Sequence, residues 1–293
     1  MSFYDRIGSY TDNSRKWLDV RFPAAREYFK DANRFLRSPS MLAKFAFLAL
    51  VIICFMIILK VGVYLLNWYY QPDEEPYLIR NMKDARTMEV IPQNPNNKNA
   101  IPIIRSKNQD QGVEFTYSIW IYIESLRYNE GQYKHIFHKG NDNIDFVNED
   151  QLGLNHPNNG PGLYIHPTKN TLVVIMNTFK VINEKIEINN VPLNKWLNVI
   201  IRVENRNLDV YVNGNIKARH VLSSVPKQNY GDVYVNMNGG FQGYVSKFRY
   251  FNRGLNVREI AKINNKGPSF KSSEVSIEKS TPPYFSLLWY NSK

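Results

Sequence analysis

The sequence predicts a mainly β protein, an antiparallel sandwich standing behind one membrane-spanning helix, and three observations carry that prediction. The 22 residues from Phe45 to Leu66 are apolar apart from Lys60. Beyond residue 113 the apolar pattern changes to a period of two, in about nine short runs separated by turn residues and without alternating helices. A single cysteine, Cys54, lies inside the apolar run, so the large C-terminal part must fold without disulfides.

Five segments follow in order. Residues 1–44 form a basic N-terminal segment, with nine Lys and Arg against five Asp and Glu. Within it Pro23 can open a helix, and Ala25, Tyr28, Phe29, Ala32, Phe35 and Leu36 keep helical spacing on one face. Arg26, Lys30, Asp31, Arg34 and Arg37 occupy the rest, which suits a helix lying on anionic lipid or against a protein. Ser38-Pro39-Ser40 then breaks the helix.

Residues 45–66 are the predicted transmembrane helix. At 1.5 Å per residue the run reaches about 33 Å, enough for a hydrocarbon core of roughly 30 Å. Lys60 sits close enough to the end to snorkel, and Trp68, Tyr69 and Tyr70 supply an interfacial belt. Arg34, Arg37 and Lys44 precede the span while Asp73, Glu74 and Glu75 follow it, which predicts a cytoplasmic, inner-side N-terminus. The run is too long and too far from Met1 for a cleaved signal peptide.

Residues 67–112, rich in Pro, Asn and charge, read as a stalk or extended linker. Residues 113–265 read as the sandwich. In Phe115 to Glu124 the residues Phe115, Tyr117, Ile119, Ile121 and Ile123 alternate with Thr116, Ser118, Trp120 and Tyr122, which suits a strand buried on both faces. Further strands are expected at 135–138, 162–166, 171–177, 185–188, 196–203, 208–212, 232–236 and 244–251. Asn213-Gly214, between DVYV and NIKARHV, is a hairpin turn in which both residues need positive φ. Residues 266–293 form a C-terminal tail.

The order FTYSIWIYIE, HIFHKG, GLYIHPTKNTLVVIM, NKWLNVIIRVENRNLDVYVNGN and GGFQGYVSKFRYFNRGLNVREIAKI resembles the laminin G-like, concanavalin A-like jelly roll over about residues 100–265. The closing segment is the most specific, with Gly239-Gly240, Phe241 and Gly243 leading into a strand and then a short helix containing Glu259 and Ile260. Trp196 and Phe241 read as core anchors. Ser246 departs from the acidic residue that many relatives carry at this place.

The chemistry is chiefly one of absences. A net charge of +11 without a dense basic run argues against nucleic acid as a partner. A retaining glucanase of this fold needs paired carboxylates of the type Glu-x-Asp-x-x-Glu, and the sequence has none, so the chain reads as a non-enzyme. No cofactor is expected unless it is calcium, for which Asp142, Asp145 and Asp150 in the polar stretch NDNIDFVNED are the candidate ligands. The five histidines form no zinc pattern, and His135 and His138 fall on opposite faces under strict strand alternation.

The expected role is therefore structural or interactive. The resemblance extends to membrane-linked minor capsid proteins of large DNA viruses, which implies a tether between an internal virion membrane and a protein shell, with a lipid bilayer and capsid proteins as partners. The absence of Asn-x-Ser/Thr sequons agrees with such a setting. The rival expectation is a membrane-anchored lectin with a glycan partner.

Overall fold

The computed structural model describes residue 34 and residues 40–97, 99–105 and 113–272. The amphipathic stretch expected before the span lies outside these residues except for Arg34, which is helical. The chain divides into two compact units, one ending at Gln71 and the other beginning at Pro72.

The first unit contains helix α1, Met41–Tyr70. Ser40 caps it, its Oγ accepting the Ala43 N–H at 3.1 Å, which fixes where the break at Pro39 ends and the helix starts. The helix is long and apolar enough to cross a membrane, over Met41–Tyr69, and almost none of its surface is buried. An apolar helix exposed all round suits a lipid solvent rather than water.

The second unit is a sandwich of two antiparallel sheets, with thirteen strands among the described residues. One sheet holds β1 (Tyr77–Ile79), β2 (Lys83–Asp84), β4 (Glu114–Ser125), β9 (Trp196–Glu204), β10 (Asn207–Val212), β11 (Asn215–Val221) and β13 (Gln242–Phe251). Its order is β1-β13-β4-β9-β10-β11, with β2 also pairing β13. The other holds β3 (Glu89–Ile91), β5 (Lys134–Gly140), β6 (Gly162–Ile165), β7 (Thr171–Met176), β8 (Glu184–Asn189) and β12 (Asp232–Val235), in the order β3-β12-β5-β6-β7-β8.

Alternating residues from both sheets meet between them, among them Ile119, Ile121, Phe137, Leu163, Val174, Val199, Val233, Phe241 and Phe248. Phe241 is wholly buried, as a core anchor should be. Part of each outer face is covered as well. Helix α2 (Val257–Lys266) lays Ile260 and Ile263 over Ile200, Tyr211, Phe251 and Leu255. Its start is fixed by a capping box between Asn256 and Glu259. The hairpin at Asn213-Gly214 has φ of 50° and 80°, the left-handed pair its residues predict.

Three expectations need correction. Residues 67–112 are not simply a stalk: α1 runs to Tyr70, and β1, β2 and β3 within the supposed linker pair with β13 and β12, so the sandwich unit begins at Pro72. These strands are two or three residues long and lie toward the sheet edges, too short to show a period. Trp196 is not a core anchor; it stands at the first position of β9 on the outer face and is only half-buried.

His135 and His138 do not point to opposite faces. A register shift between His135 and Phe137 puts Ile136 and Phe137 both into the core and leaves the two imidazoles together outside it. The Met237 N–H donates to His135 Nδ1 at 3.0 Å, so neutral His135 carries its proton on Nε2 and donates it to His138 Nδ1 at 2.6 Å. His138 Nε2–H then donates to the Asn141 carbonyl at 2.7 Å. Every ring nitrogen is committed in the neutral form. Burial pushes the His135 imidazole well below its ordinary range and His138 down to about 4.

The folded state thus excludes protons that the unfolded chain takes up below pH ~6.5. Stability from this pair should be fully present above pH ~6.5 and should fall as the pH drops toward the depressed folded values. Denaturant midpoints measured between pH 8 and pH 5 are expected to be flat at first and then to decline. A midpoint that rises on acidification would mean that the pair is charged and stabilised in the fold.

Candidate functional site

Three aromatic side chains form a row on the outer face of the seven-stranded sheet. Tyr244 on β13 lies directly opposite Tyr122 on β4, which lies directly opposite Trp196 on β9. Directly opposed residues share a face, so the register alone brings the rings together. Ring centroids are 6.2 Å apart for Tyr122 and Tyr244 and 5.5 Å for Tyr122 and Trp196, and both pairs of planes are inclined by 53°. All three residues are half-buried, with part of each side chain open to solvent.

Beneath this row the sheet is closed. Trp120, two residues before Tyr122 on the same face, is 6% exposed and lies between Ser246 and Asn198 of the flanking strands. The placement of Tyr244 depends on Gly243, whose φ is +150° and where a Cβ would stand 1.8 Å from the Tyr122 carbonyl oxygen.

Both ends of the row are furnished. At one end Asp84 on β2 lies opposite Tyr244. Its carboxylate takes Arg86 in a fork, with Nε at 3.0 Å from Oδ1 and Nη2 at 2.6 Å from Oδ2. That guanidinium holds the Asp84 carboxyl below its usual range, against the opposing effect of burial. At the other end Phe270, 71% exposed, meets Trp196 edge-on with centroids 6.2 Å apart.

Phe270 is held there through Ser246 and Lys247 of β13. The buried Ser246 hydroxyl donates to the Ser269 carbonyl at 3.0 Å and accepts the Ser269 N–H at 2.9 Å. Lys247, at a bulge with φ of 44°, donates from Nζ to the Gly267 carbonyl at 2.7 Å, just past the end of α2. The Ser246 hydroxyl therefore holds the chain after α2 against the sheet beside the aromatic row.

The calcium candidates do not assemble. Asp142 and Asp150 are exposed, and Asp150 lies in a single 3-10 turn, Glu149–Gln151. The Asp145 carboxylate accepts the N–H groups of Val147 and Asn148 at 2.9 and 3.0 Å and the Asn148 side-chain amide at 2.6 Å. These bonds, those from Asn148 foremost, keep its carboxyl below the ordinary range. It closes its own loop. Among the described residues no three His, Cys, Asp or Glu side chains converge as a metal site would require.

A cavity of about 440 Å³ opens at the far end of the strands, lined in part by Ile103, Phe115, Tyr117, Lys139, Asp232 and Tyr250. Burial pushes the Lys139 amine down to about 8, and its Nζ donates to the Gly231 carbonyl at 2.5 Å. Its lining includes Arg105 and Val113, and residues 106–112 between them in sequence lie outside the described residues, so no site is assigned to it.

The aromatic row was only half legible. Trp120 and Tyr122 show their alternation in sequence, but the alignment of Tyr122 with Trp196 and Tyr244 depends on pairing between strands far apart in the chain. The contribution of Phe270 has no sequence signal.

A family model described as the concanavalin A-like lectin/glucanases superfamily, of laminin G-like type, matches residues 96–261. No curated protein matches the sequence. Among solved structures the chain is similar to the receptor binding domain of botulinum neurotoxin D, at 14% identity and a TM-score of 0.43 over 66% of this chain and 52% of that one. It is also similar to the receptor binding domain of the botulinum neurotoxin C/D mosaic serotype, at 16% identity and a TM-score of 0.40 over 52% of this chain and 36% of that one. A third is the binding domain of botulinum neurotoxin DC in complex with rat synaptotagmin II, at 15% identity and a TM-score of 0.44, covering 66% of this chain and 52% of that one. The chain thus spans between about a third and a half of these structures. With the family model covering more than half of its length, the chain belongs to the concanavalin A-like lectin/glucanase superfamily.

Proposed function

We propose that the protein is a membrane-anchored glycan-binding module, with α1 as the anchor and the row Tyr244, Tyr122 and Trp196 as the binding surface. The row is the observation that carries this reading. Half-open aromatic rings in register offer apolar faces to the C–H surfaces of sugar rings, and the tyrosine hydroxyls and the Asp84–Arg86 pair offer hydrogen bonds beside them. The mutual tilt of the rings favours a glycan chain that turns along its length over a flat crystalline surface. Binding is favoured over hydrolysis, because a general acid at a glycosidic bond needs a raised pKa and Asp84 has a lowered one. The tether reading shares the anchor and differs in its partner, a capsid protein in place of a glycan.

The flanking charges support an inner-side N-terminus. Protease added to sealed vesicles should then digest the sandwich and leave a small protected N-terminal fragment. A protected sandwich with a digested N-terminus would reverse the orientation.

Full-length protein in lipid nanodiscs should bind members of an oligosaccharide array. Trp196→Ala or Tyr122→Ala should weaken that binding about tenfold, the equivalent of one ring contact of about 1.4 kcal/mol. Because Trp196 is half-buried, Trp196→Ala should leave the melting temperature close to that of the parent. Glycan binding untouched by either substitution would remove the row from the site, and no glycan binding at all would favour the capsid tether.

A further inference from the structure

The β7–β8 turn, residues 177–183, carries apolar side chains that the fold does not use. Phe179 is 69% exposed, Val181 40% and Ile182 51%, and Val225 on the neighbouring loop is 42% exposed. This exposure is built rather than incidental. Thr178 closes the turn, its N–H donating to the Val181 carbonyl at 2.9 Å and its Oγ accepting the Val181 N–H at 3.0 Å. Asn183 N–H donates to Asn177 Oδ1 at 3.2 Å. The Phe179 N–H donates to the Val225 carbonyl at 3.2 Å, and the Lys227 N–H to the Asn177 carbonyl at 2.8 Å, which locks the two loops side by side.

The tip is also one-signed. Neither 177–183 nor 221–230 contains an acidic residue, while Lys180 and Lys227 flank the apolar group and the Lys227 Nζ lies 5.9 Å from the Phe179 ring centroid. Aromatic and aliphatic side chains rimmed by lysines match the boundary between acyl chains and anionic headgroups. Within the sandwich the turn is anchored to the neighbouring sheet as well, because Ser223, just past the end of β11, donates from its hydroxyl to the Glu184 carboxylate at 2.8 Å at the start of β8.

From these observations we infer that Phe179, Val181, Ile182 and Val225, with Lys180 and Lys227, form a second membrane contact that inserts shallowly into an anionic bilayer surface. It depends on insertion of α1 and is independent of the aromatic row.

The test uses the full chain in vesicles of phosphatidylcholine, with or without phosphatidylserine. An environment-sensitive fluorophore is placed at Val181→Cys in a Cys54→Ser background and exposed to lipid-borne quenchers. A fluorophore on native Cys54 reports insertion of α1, and one at Thr168→Cys, on an exposed turn at the other end of the strands, reports non-specific contact. The expected result is quenching at position 181 that requires phosphatidylserine, exceeds that at 168, and is mostly lost in Lys180→Glu/Lys227→Glu and in Phe179→Ser. Quenching at Cys54 without quenching at 181 would overturn the inference, as would equal quenching at 168 and 181. A label at 181 shielded from aqueous quencher but untouched by lipid quencher would overturn it in favour of a protein partner.

Discussion

The register of β13, β4 and β9 is the constraint on which the sandwich depends. These three neighbours present Val245, Ile119, Ile121 and Val199 to the core, and the same period of two turns Tyr244, Tyr122 and Trp196 outward into one line. A slip of one residue would expose the core set and bury the row. The pairing is fixed locally by Gly243, where the β13 backbone passes too close to the Tyr122 carbonyl for any side chain. The outer surface is thus a consequence of how the inside packs, and the aromatic row cannot be lost without disturbing the sheet beneath it or changing the ring residues themselves.

Around that constraint the chain places its other parts economically. Ser246 and Lys247, on the same β13, hold residues 267–269 after α2 and so deliver Phe270 to the side of Trp196. Asp84, on the shortest strand, delivers its ion pair with Arg86 to the side of Tyr244. The four rings and the ion pair therefore come from β2 and the turn after it, β13, β4, β9 and the segment after α2. The opposite end of the strands carries the braced apolar turn around Phe179 and the entry of the chain at Glu75. A ligand on the row and a bilayer at the turn would occupy separate regions of the domain.

What the sequence made legible was whatever is encoded within one segment. The apolar run of α1, the two-sided alternation of β4, the Asn213-Gly214 turn, the buried Phe241 and the short helix containing Glu259 and Ile260 all have local causes, and the structure has them where the residues predict. The failures are of the opposite kind. His135 and His138 share a face because of one bulge, which a strict period of two cannot anticipate. Trp196 looked like a core residue because tryptophan usually is one, yet its place at the first position of β9 leaves it at the margin of the outer face. The strands β1 to β3 are too short for periodicity, and the carboxylate of Asp145, which looked like a ligand, satisfies its own loop. The row combines residues from three strands, Tyr122, Trp196 and Tyr244, well separated along the chain, so no single stretch of sequence contains it.

Hydroxyl-radical footprinting of the full chain, with and without a glycan selected on an array, tests the central claim most directly. Protection on binding should concentrate at Trp196, Tyr122 and Tyr244 and should be absent at Tyr230, which is exposed at the far end of the strands. A glycan that binds and protects Tyr230 while the three rings stay as reactive as before would contradict the assignment of the row as the binding surface.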